Sequence, residues 1–253
     1  KKYCKHDITF SQVDKAWLEG FKEYLMKQAR KPDNNPLSQN SQSSYFNKIR
    51  AALKQALKDE IIQRNPCDTI EGIKAGEPER EFLTQEELQA MAKAECDIPQ
   101  MKTAFLFSAL TGLRWSDIQK LTWMELQYSD EIGNYIRYTQ KKTKGSETLP
   151  ISEQAFSLLG ERGEPKERVF IGLKYSAWHN LRLQQWAMRA GISKTITFHC
   201  ARHTYATLQL TLGSDIYTVS KMLGHKHLKT TEIYAKVIDH KKKEAANRIK
   251  IDL

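Results

Sequence analysis

Residues 199–237 read HCARHTYATLQLTLGSDIYTVSKMLGHKHLKTTEIYAKV, and the punctuation of this stretch decides the fold class. A helix is expected over 199 to 212 with Gly213 as its stop, another over 215 to 223 stopped by Gly224, and a short one near 228 to 236. Upstream, a helix near 175 to 190 is closed by Gly191, and Phe105 to Leu110 reads as a buried helix ending at Gly112. Thr84 followed by Glu87 is a capping box, in which each side chain satisfies an orphan backbone N–H at a helix start. Residues 128 to 150 break the helical pattern. There Ile132, Tyr135, Ile136, Tyr138 and Thr139 precede the turn Thr143-Lys144-Gly145-Ser146, followed by Thr148, Leu149 and Ile151, which predicts a small antiparallel sheet.

Toward the N-terminus, Val13, Trp17, Phe21, Tyr24 and Leu25 recur at helical spacing, as do Tyr45, Phe46, Ile49, Leu53, Leu57 and Ile61. Between them KPDNNPLSQNSQ is a loop that ends in a helix N-cap at Ser38 or Ser41. The polar segment NPCDTIEGIKAGEPERE, residues 65–81, lacks apolar periodicity and holds the interdomain linker. The expected fold is mainly α with a small antiparallel β-sheet. It divides into a helical domain over 1–75, a linker over 76–83 and a mixed α+β domain over 84–253.

The chain of 253 residues carries 40 Lys and Arg against 30 Asp and Glu, a formal charge of +10 that suits an anionic partner, nucleic acid ahead of an acidic membrane surface. It contains no run of about 18 apolar residues, and the opening KKYCKHDITF lacks the apolar core of a signal peptide, so a soluble intracellular protein is expected. Because the chain starts with Lys, it is expected to be a fragment. Cys4, Cys67, Cys96 and Cys200 are scattered without metal-site spacing and read as reduced thiols.

Four local patterns bear on chemistry. Arg114 stands two residues after the helix stop at Gly112, so its guanidinium is either aimed into a cleft or paired on the surface with Asp117. His199 and Arg202, three apart on a helix, share one face and are able to serve one oxyanion, although an isolated H-x-x-R is more often an ordinary surface pair. His203 is expected to turn away, into packing or a supporting role. Gly224 puts His225 at the start of a connection, and Tyr234 follows on the next short helix, either as a delivered nucleophile or as a half-buried aromatic.

Taken together, T-G-L-R at 111–114, a hairpin lysine eight residues before Pro150, H-x-x-R-H at 199–203, L-G-H at 223–225 and Tyr234 resemble the tyrosine recombinases, the family of phage integrases and Xer-type recombinases. The resemblance covers most of residues 84 to 240, and LSQNSQSSYFNKIRAALKQALKDEIIQRNP is similar to the family's core-binding domain. It implies that Tyr234 attacks a DNA phosphodiester to give a 3′-phosphotyrosyl link. Arg114, Arg202 and His225 then hold the non-bridging oxygens, His199 assists proton removal, Lys142 is the general acid, and Asp117 and His203 support them. Two permanently charged forked guanidinium groups suit a phosphorus that becomes five-coordinate. This scheme requires neither a metal nor ATP.

The resemblance further implies double-stranded DNA as partner, a homo-tetramer on paired sites, accessory DNA-bending proteins and no membrane, in a bacterial cytoplasm, nucleoid-associated when bound to DNA. Lys48, Arg50, Lys54, Lys141 and Lys144 are candidates for duplex contacts. The function expected is site-specific recombination that integrates or excises a mobile element. The competing readings are a type IB topoisomerase, which shares the chemistry and only relaxes supercoils, and a non-catalytic DNA-binding protein.

Overall fold

The computed structural model describes residues 3, 4, 6–76, 80–139 and 146–234. The chain forms two compact units, Lys1–Glu79 and Arg80–Leu253.

In the first unit, α1 (Lys15–Glu23) starts at Asp14, whose carboxylate accepts from the Trp17 N–H at 2.7 Å, and runs on as a π-turn over Tyr24–Gln28. Helix α2 (Gln39–Lys58) is N-capped by Ser38, one of the two candidates read from the sequence. Phe46, Leu53 and Ala56, spaced by seven and three, put one face of α2 into a core with Leu18, Leu25, Ala29, Cys67, Ile70 and Ile73. Trp17 stacks on Phe21 with ring centroids 5.4 Å apart. The periodicity that ran to Ile61 outlasts the helix. Glu60 adopts φ 59 beyond the cap at Asp59, and Ile61 stands in solvent at 60% exposure.

In the second unit, Thr84 and Glu87 form the expected capping box at the start of α3 (Gln85–Lys93), with bonds of 3.2 and 2.8 Å. Helix α4 (Pro99–Thr111) has Pro at its start and is buried nearly all round, through Met101, Ala104, Phe105, Phe107, Ser108, Ala109 and Thr111, as a central helix must be. It packs against α8 (Phe198–Leu212), the other largely buried helix. Between them in sequence come α5 (Trp115–Ile118), the sheet, α6 (Glu153–Ser157) and α7 (Ala177–Arg189). Trp186 of α7 is fully buried, edge-on to Phe105 at 5.5 Å, with its indole N–H donated to the Met91 carbonyl at 3.1 Å.

Among the described residues the sheet has three antiparallel strands in the order β1 (Leu126–Ser129), β2 (Gly133–Thr139), β3 (Ser146–Pro150). Ile136 lies opposite both Leu126 and Leu149, and these three line the buried face. Helix α9 (Ile216–Met222) follows Gly213, and a 3₁₀ turn at Leu228–Thr230 stands where the sequence predicts a short α-helix. Arg80–Leu83, read as linker from the sequence, belongs to the second unit, where Leu83 is fully buried and donates its N–H to Thr204 Oγ1 at 2.9 Å.

Gly112 closes α4 at φ 71, and a Cβ there would stand 2.5 Å from the Tyr205 ring and 2.9 Å from Leu223. The left-handed conformation costs an L-residue about 1–2 kcal/mol and overpacking about 1–3 kcal/mol more. Gly112→Ala is therefore expected to lower the unfolding free energy by roughly 2–5 kcal/mol in a urea titration, whereas Gly133→Ala, at φ 77 with open space around it, loses only the conformational part.

Candidate active site

Three chain segments meet at one guanidinium. Arg202, on α8, is 3% exposed. Its Nη1 donates to the Gly112 carbonyl at 2.5 Å, and its Nη2 donates to the Leu223 carbonyl at 2.6 Å and to His225 Nε2 at 3.0 Å. Gly112 and Leu223 are the residues that cap α4 and α9, so the cation occupies carbonyl positions that a helix end leaves without partners.

The turn at Gly112 delivers Arg114, the N-cap residue of α5, with its side chain 15% exposed. Asp117, one turn on, has its carboxylate 3.9 Å from Arg114 and 3.8 Å from Lys120. Lys120 also donates to the Thr139 carbonyl at the end of β2. The Leu223 end leads through Gly224, at φ 60, to His225, whose Nδ1 is 2.8 Å from Thr231 Oγ1. Thr231 in turn accepts the backbone N–H of Tyr234 at 3.0 Å. The Tyr234 side chain is buried, and its hydroxyl lies 2.7 Å from His203 Nδ1. On the far side of that imidazole, Nε2 is 3.3 Å from Arg80 Nη1.

Charge and burial oppose each other here. Burial, then the neighbouring positive charge of Arg114, lowers Arg202 to about 10, which leaves it a cation at neutral pH. Burial, then Arg202 and Arg114, takes His225 down to about 4. Burial, then His199 and Arg80, takes His203 down to about 3. Burial raises Tyr234 above the ordinary phenol, against the pull of Arg202, Arg80 and Arg114. Three guanidinium groups thus act on a single hydroxyl. An arrangement with Arg114 and Arg202 on separate surfaces is excluded.

Arg114, Arg202, His225 and Tyr234 are brought together, with Asp117 beside Arg114. His199 is exposed at the rim, its ring edge-on to His203 at 4.4 Å. His203 does not turn away as its position next to Arg202 implied: it is buried and faces Tyr234, because the chain after α9 folds back over that side of α8. Lys142, Lys141 and Lys144 lie outside the described residues. Lys48, Arg50 and Lys54 are all exposed on α2. At ~100° per residue, however, Lys48 and Arg50 point about 160° apart, so the three do not form one face. Lys48 sits over the Tyr45 ring at 5.2 Å, and Arg50 Nη1 lies 2.6 Å from where a Cβ on Gly72 would be, against its own domain's backbone.

Arg80, Lys120 and Thr231 escape a reading from sequence. Arg80 stands among acids in a polar run and looks like linker, and nothing in HLKTTEIYAKV sets the second threonine apart from the first. Among the described residues no group of His, Cys, Asp and Glu is arranged to hold a metal ion, and no helix is long and apolar enough to cross a membrane.

A helical N-terminal unit followed by a mixed unit that focuses arginines on a tyrosine defines a class of DNA strand transferases. The phage integrase family matches residues 81–241, and a phage integrase SAM-like domain matches residues 1–71, so the chain belongs to the phage integrase family and is an enzyme of the tyrosine recombinase type. It is 28% identical to a tyrosine recombinase of Pseudothermotoga lettingae over 97% of this chain and 85% of that protein. It is 24% identical to the ICEBs1 integrase of Bacillus subtilis over 98% of this chain and 73% of that protein. Among solved structures, XerH recombinase bound to a palindromic difH substrate in a post-cleavage complex has the same fold, with TM-score 0.72 and 18% identity over 98% of this chain and 75% of that one. A lambda integrase dimer bound to a core site gives TM-score 0.69 and 17% identity over 98% and 86%.

Buried His203 and half-buried His225 make stability depend on pH. Both have folded values, about 4 and about 3, below the free imidazole at 6.5, so the unfolded chain binds more protons. Their contribution is complete above pH 6.5 and is lost as pH falls toward 4. With allowance for solvent screening at half-buried His225, the unfolding free energy is expected to drop by on the order of 2 kcal/mol between pH 7 and pH 5. Urea titrations at the two pH values measure this, and the drop should shrink in a His203→Gln, His225→Gln double variant.

Proposed function

We propose that this chain recombines DNA at specific sites through a covalent link to Tyr234. The observation that carries the reading is the Tyr234 hydroxyl standing in the combined field of Arg202, Arg80 and Arg114, with His225 bonded to Arg202. The Tyr234 oxygen attacks the scissile phosphorus in line with the 5′-oxygen, the P–O5′ bond breaks, and the 3′-phosphate stays on the tyrosine while a proton passes to the leaving oxygen. Lys142 is the proposed donor of that proton. Attack by a 5′-hydroxyl of the partner strand reverses the step and frees the phenol. The energy of the broken diester is kept in the phosphotyrosine.

Arg114 and Arg202 neutralise the non-bridging oxygens. A guanidinium has five N–H donors, and among the described residues three from Arg202 are engaged with Gly112, Leu223 and His225; its further N–H groups are the ones proposed to meet phosphate. His225 adds a bond to the same oxygens, Asp117 orients Arg114, and His199 at the rim assists removal of the phenolic proton. Residues 1–75 serve as the core-binding domain and the second unit, from Arg80 onward, as the catalytic domain, with Lys48, Lys54, Lys141 and Lys144 in contact with the duplex. Two sites are brought together by a homo-tetramer with accessory DNA-bending proteins, and the outcome is integration or excision of a mobile element. The likeness to the ICEBs1 integrase, and to the fold of the Tn1549 transposon integrase in complex with transposon right-end DNA, supports that direction.

The test is a protein–DNA adduct that survives SDS. Adducts mapped on genomic DNA define the site, and a nicked duplex carrying it traps the intermediate. Tyr234→Phe is expected to give no adduct. Arg202→Lys, which replaces a fork by a point charge, is expected to slow adduct formation about 10²–10³-fold, by analogy with the loss of one oxyanion donor. An adduct that persists in Tyr234→Phe overturns the proposal.

A further inference from the structure

The contact of Arg80 with His203 fixes a tautomer. A guanidinium only donates hydrogen bonds, so His203 Nε2, 3.3 Å from Arg80 Nη1, must be the accepting nitrogen. A neutral imidazole carries one proton, and with Nε2 bare that proton sits on Nδ1, the nitrogen 2.7 Å from the Tyr234 hydroxyl. His203 therefore donates to the phenolic oxygen. It is not placed to take the phenolic proton.

The groups facing His203 agree with a neutral ring. Arg80 and Arg202 bring positive charge, His225 and the edge-on ring of His199 lie close by, Tyr234 is the partner on the other nitrogen, and the side chain itself is buried. A protonated imidazole in this company would add a charge beside two guanidinium groups, away from water.

We infer that Arg80 is a positioning residue for the nucleophile: by occupying Nε2 it locks His203 in the Nδ1–H tautomer, which makes His203 a hydrogen-bond donor to Tyr234 Oη and favours the phenolate over the phenol. The inference rests on Tyr234 being the nucleophile. A donor to the oxygen stabilises the charge that builds there when the proton leaves, and it leaves that proton pointing elsewhere, to a separate acceptor. Without Arg80 the other tautomer opens. Nδ1 then accepts the phenolic O–H, and the same bond holds the nucleophile in its unreactive form.

Two measurements test this in the whole chain. Nitrogen-15 and proton correlation spectra of the imidazoles, with His203 assigned through its loss in His203→Gln, report the tautomer. The wild type is expected to show Nδ1–H, Arg80→Met to shift toward Nε2–H, and Arg80→Lys, still a pure donor, to keep Nδ1–H. Single-turnover adduct formation is then followed against pH on a duplex whose scissile 5′-oxygen is replaced by sulfur, so that leaving-group protonation does not shape the profile. Arg80→Met is expected to move the alkaline limb up by about one pH unit, a tenfold loss at neutral pH, with recovery at high pH and in Arg80→Lys. An Nε2–H tautomer in the wild type overturns the inference, as does an Arg80→Met profile that is unchanged or lowered equally at every pH. Tyr234→Phe runs alongside: an adduct there removes the nucleophile reading itself, whereas its absence together with an unmoved Arg80→Met limb rejects only the role of Arg80.

Discussion

The bonds from Arg202 to the Gly112 and Leu223 carbonyls tie the catalytic unit together at one point. A buried guanidinium is costly unless its donors are met, and here they meet the C-terminal ends of two helices, where carbonyls lack partners and the helix dipole is negative. Arg114 comes two residues after one of those carbonyls and His225 two after the other. The bonds that satisfy the buried charge therefore also set where the next arginine and the next histidine begin. Stability and site geometry are one arrangement here, and a change that loosens Arg202 displaces both flanking groups together.

Helix α8 shows what that arrangement asks of the core. Phe198, Ala201, Tyr205 and Leu210 are the apolar part of its buried surface, yet Arg202, His203, Thr204 and Thr207 are buried as well. Such polar groups lower stability unless bonded, and three of them have their partners: Arg202 in the two carbonyls, His203 in Tyr234 and Arg80, and Thr204 in the Leu83 N–H. The all-round apolar burial of α4 and the packing of Trp186 against Phe105 supply the compensating hydrophobic surface on the far side. Desolvation then works in two directions, raising the Tyr234 phenol and strengthening the arginine field that pulls it back.

Much of this was legible from residue order. Gly112, Gly213 and Gly224 mark chain reversals because each sits at positive φ at or just after a helix end, and the Thr84–Glu87 box is a local pattern that needs no tertiary contact. The β-branched and aromatic residues of 135–139 and 148–149 give paired strands because alternate residues face one core. The losses are equally physical. The helix expected to run on to Ile61 stops at Lys58, since helical spacing by itself cannot register a residue that leaves the core. The orientation of His203 depends on which way residues 225–234 return across α8, and a helical wheel holds no information on that. Arg50 reads like a free cation until its contact with the Gly72 segment is seen.

Arg80 shows most clearly what a local reading misses. In sequence it is one charge among Glu77, Glu79 and Glu81, indistinguishable from a solvated connector. In the fold it opens the second unit, and the entry segment it begins is fastened to α8 at two adjacent residues, Arg80 to His203 and Leu83 to Thr204. The Leu83 bond is buried and fixes the register of that segment along the helix. Arg80, three residues earlier, is thereby held at a set distance from the imidazole that touches Tyr234. Tyr234 is thus reached from two sides: through the chain after α9, by way of His225 and Thr231, and through the first residues of the unit, by way of His203. A displacement of either segment changes the hydrogen bonding of the same hydroxyl.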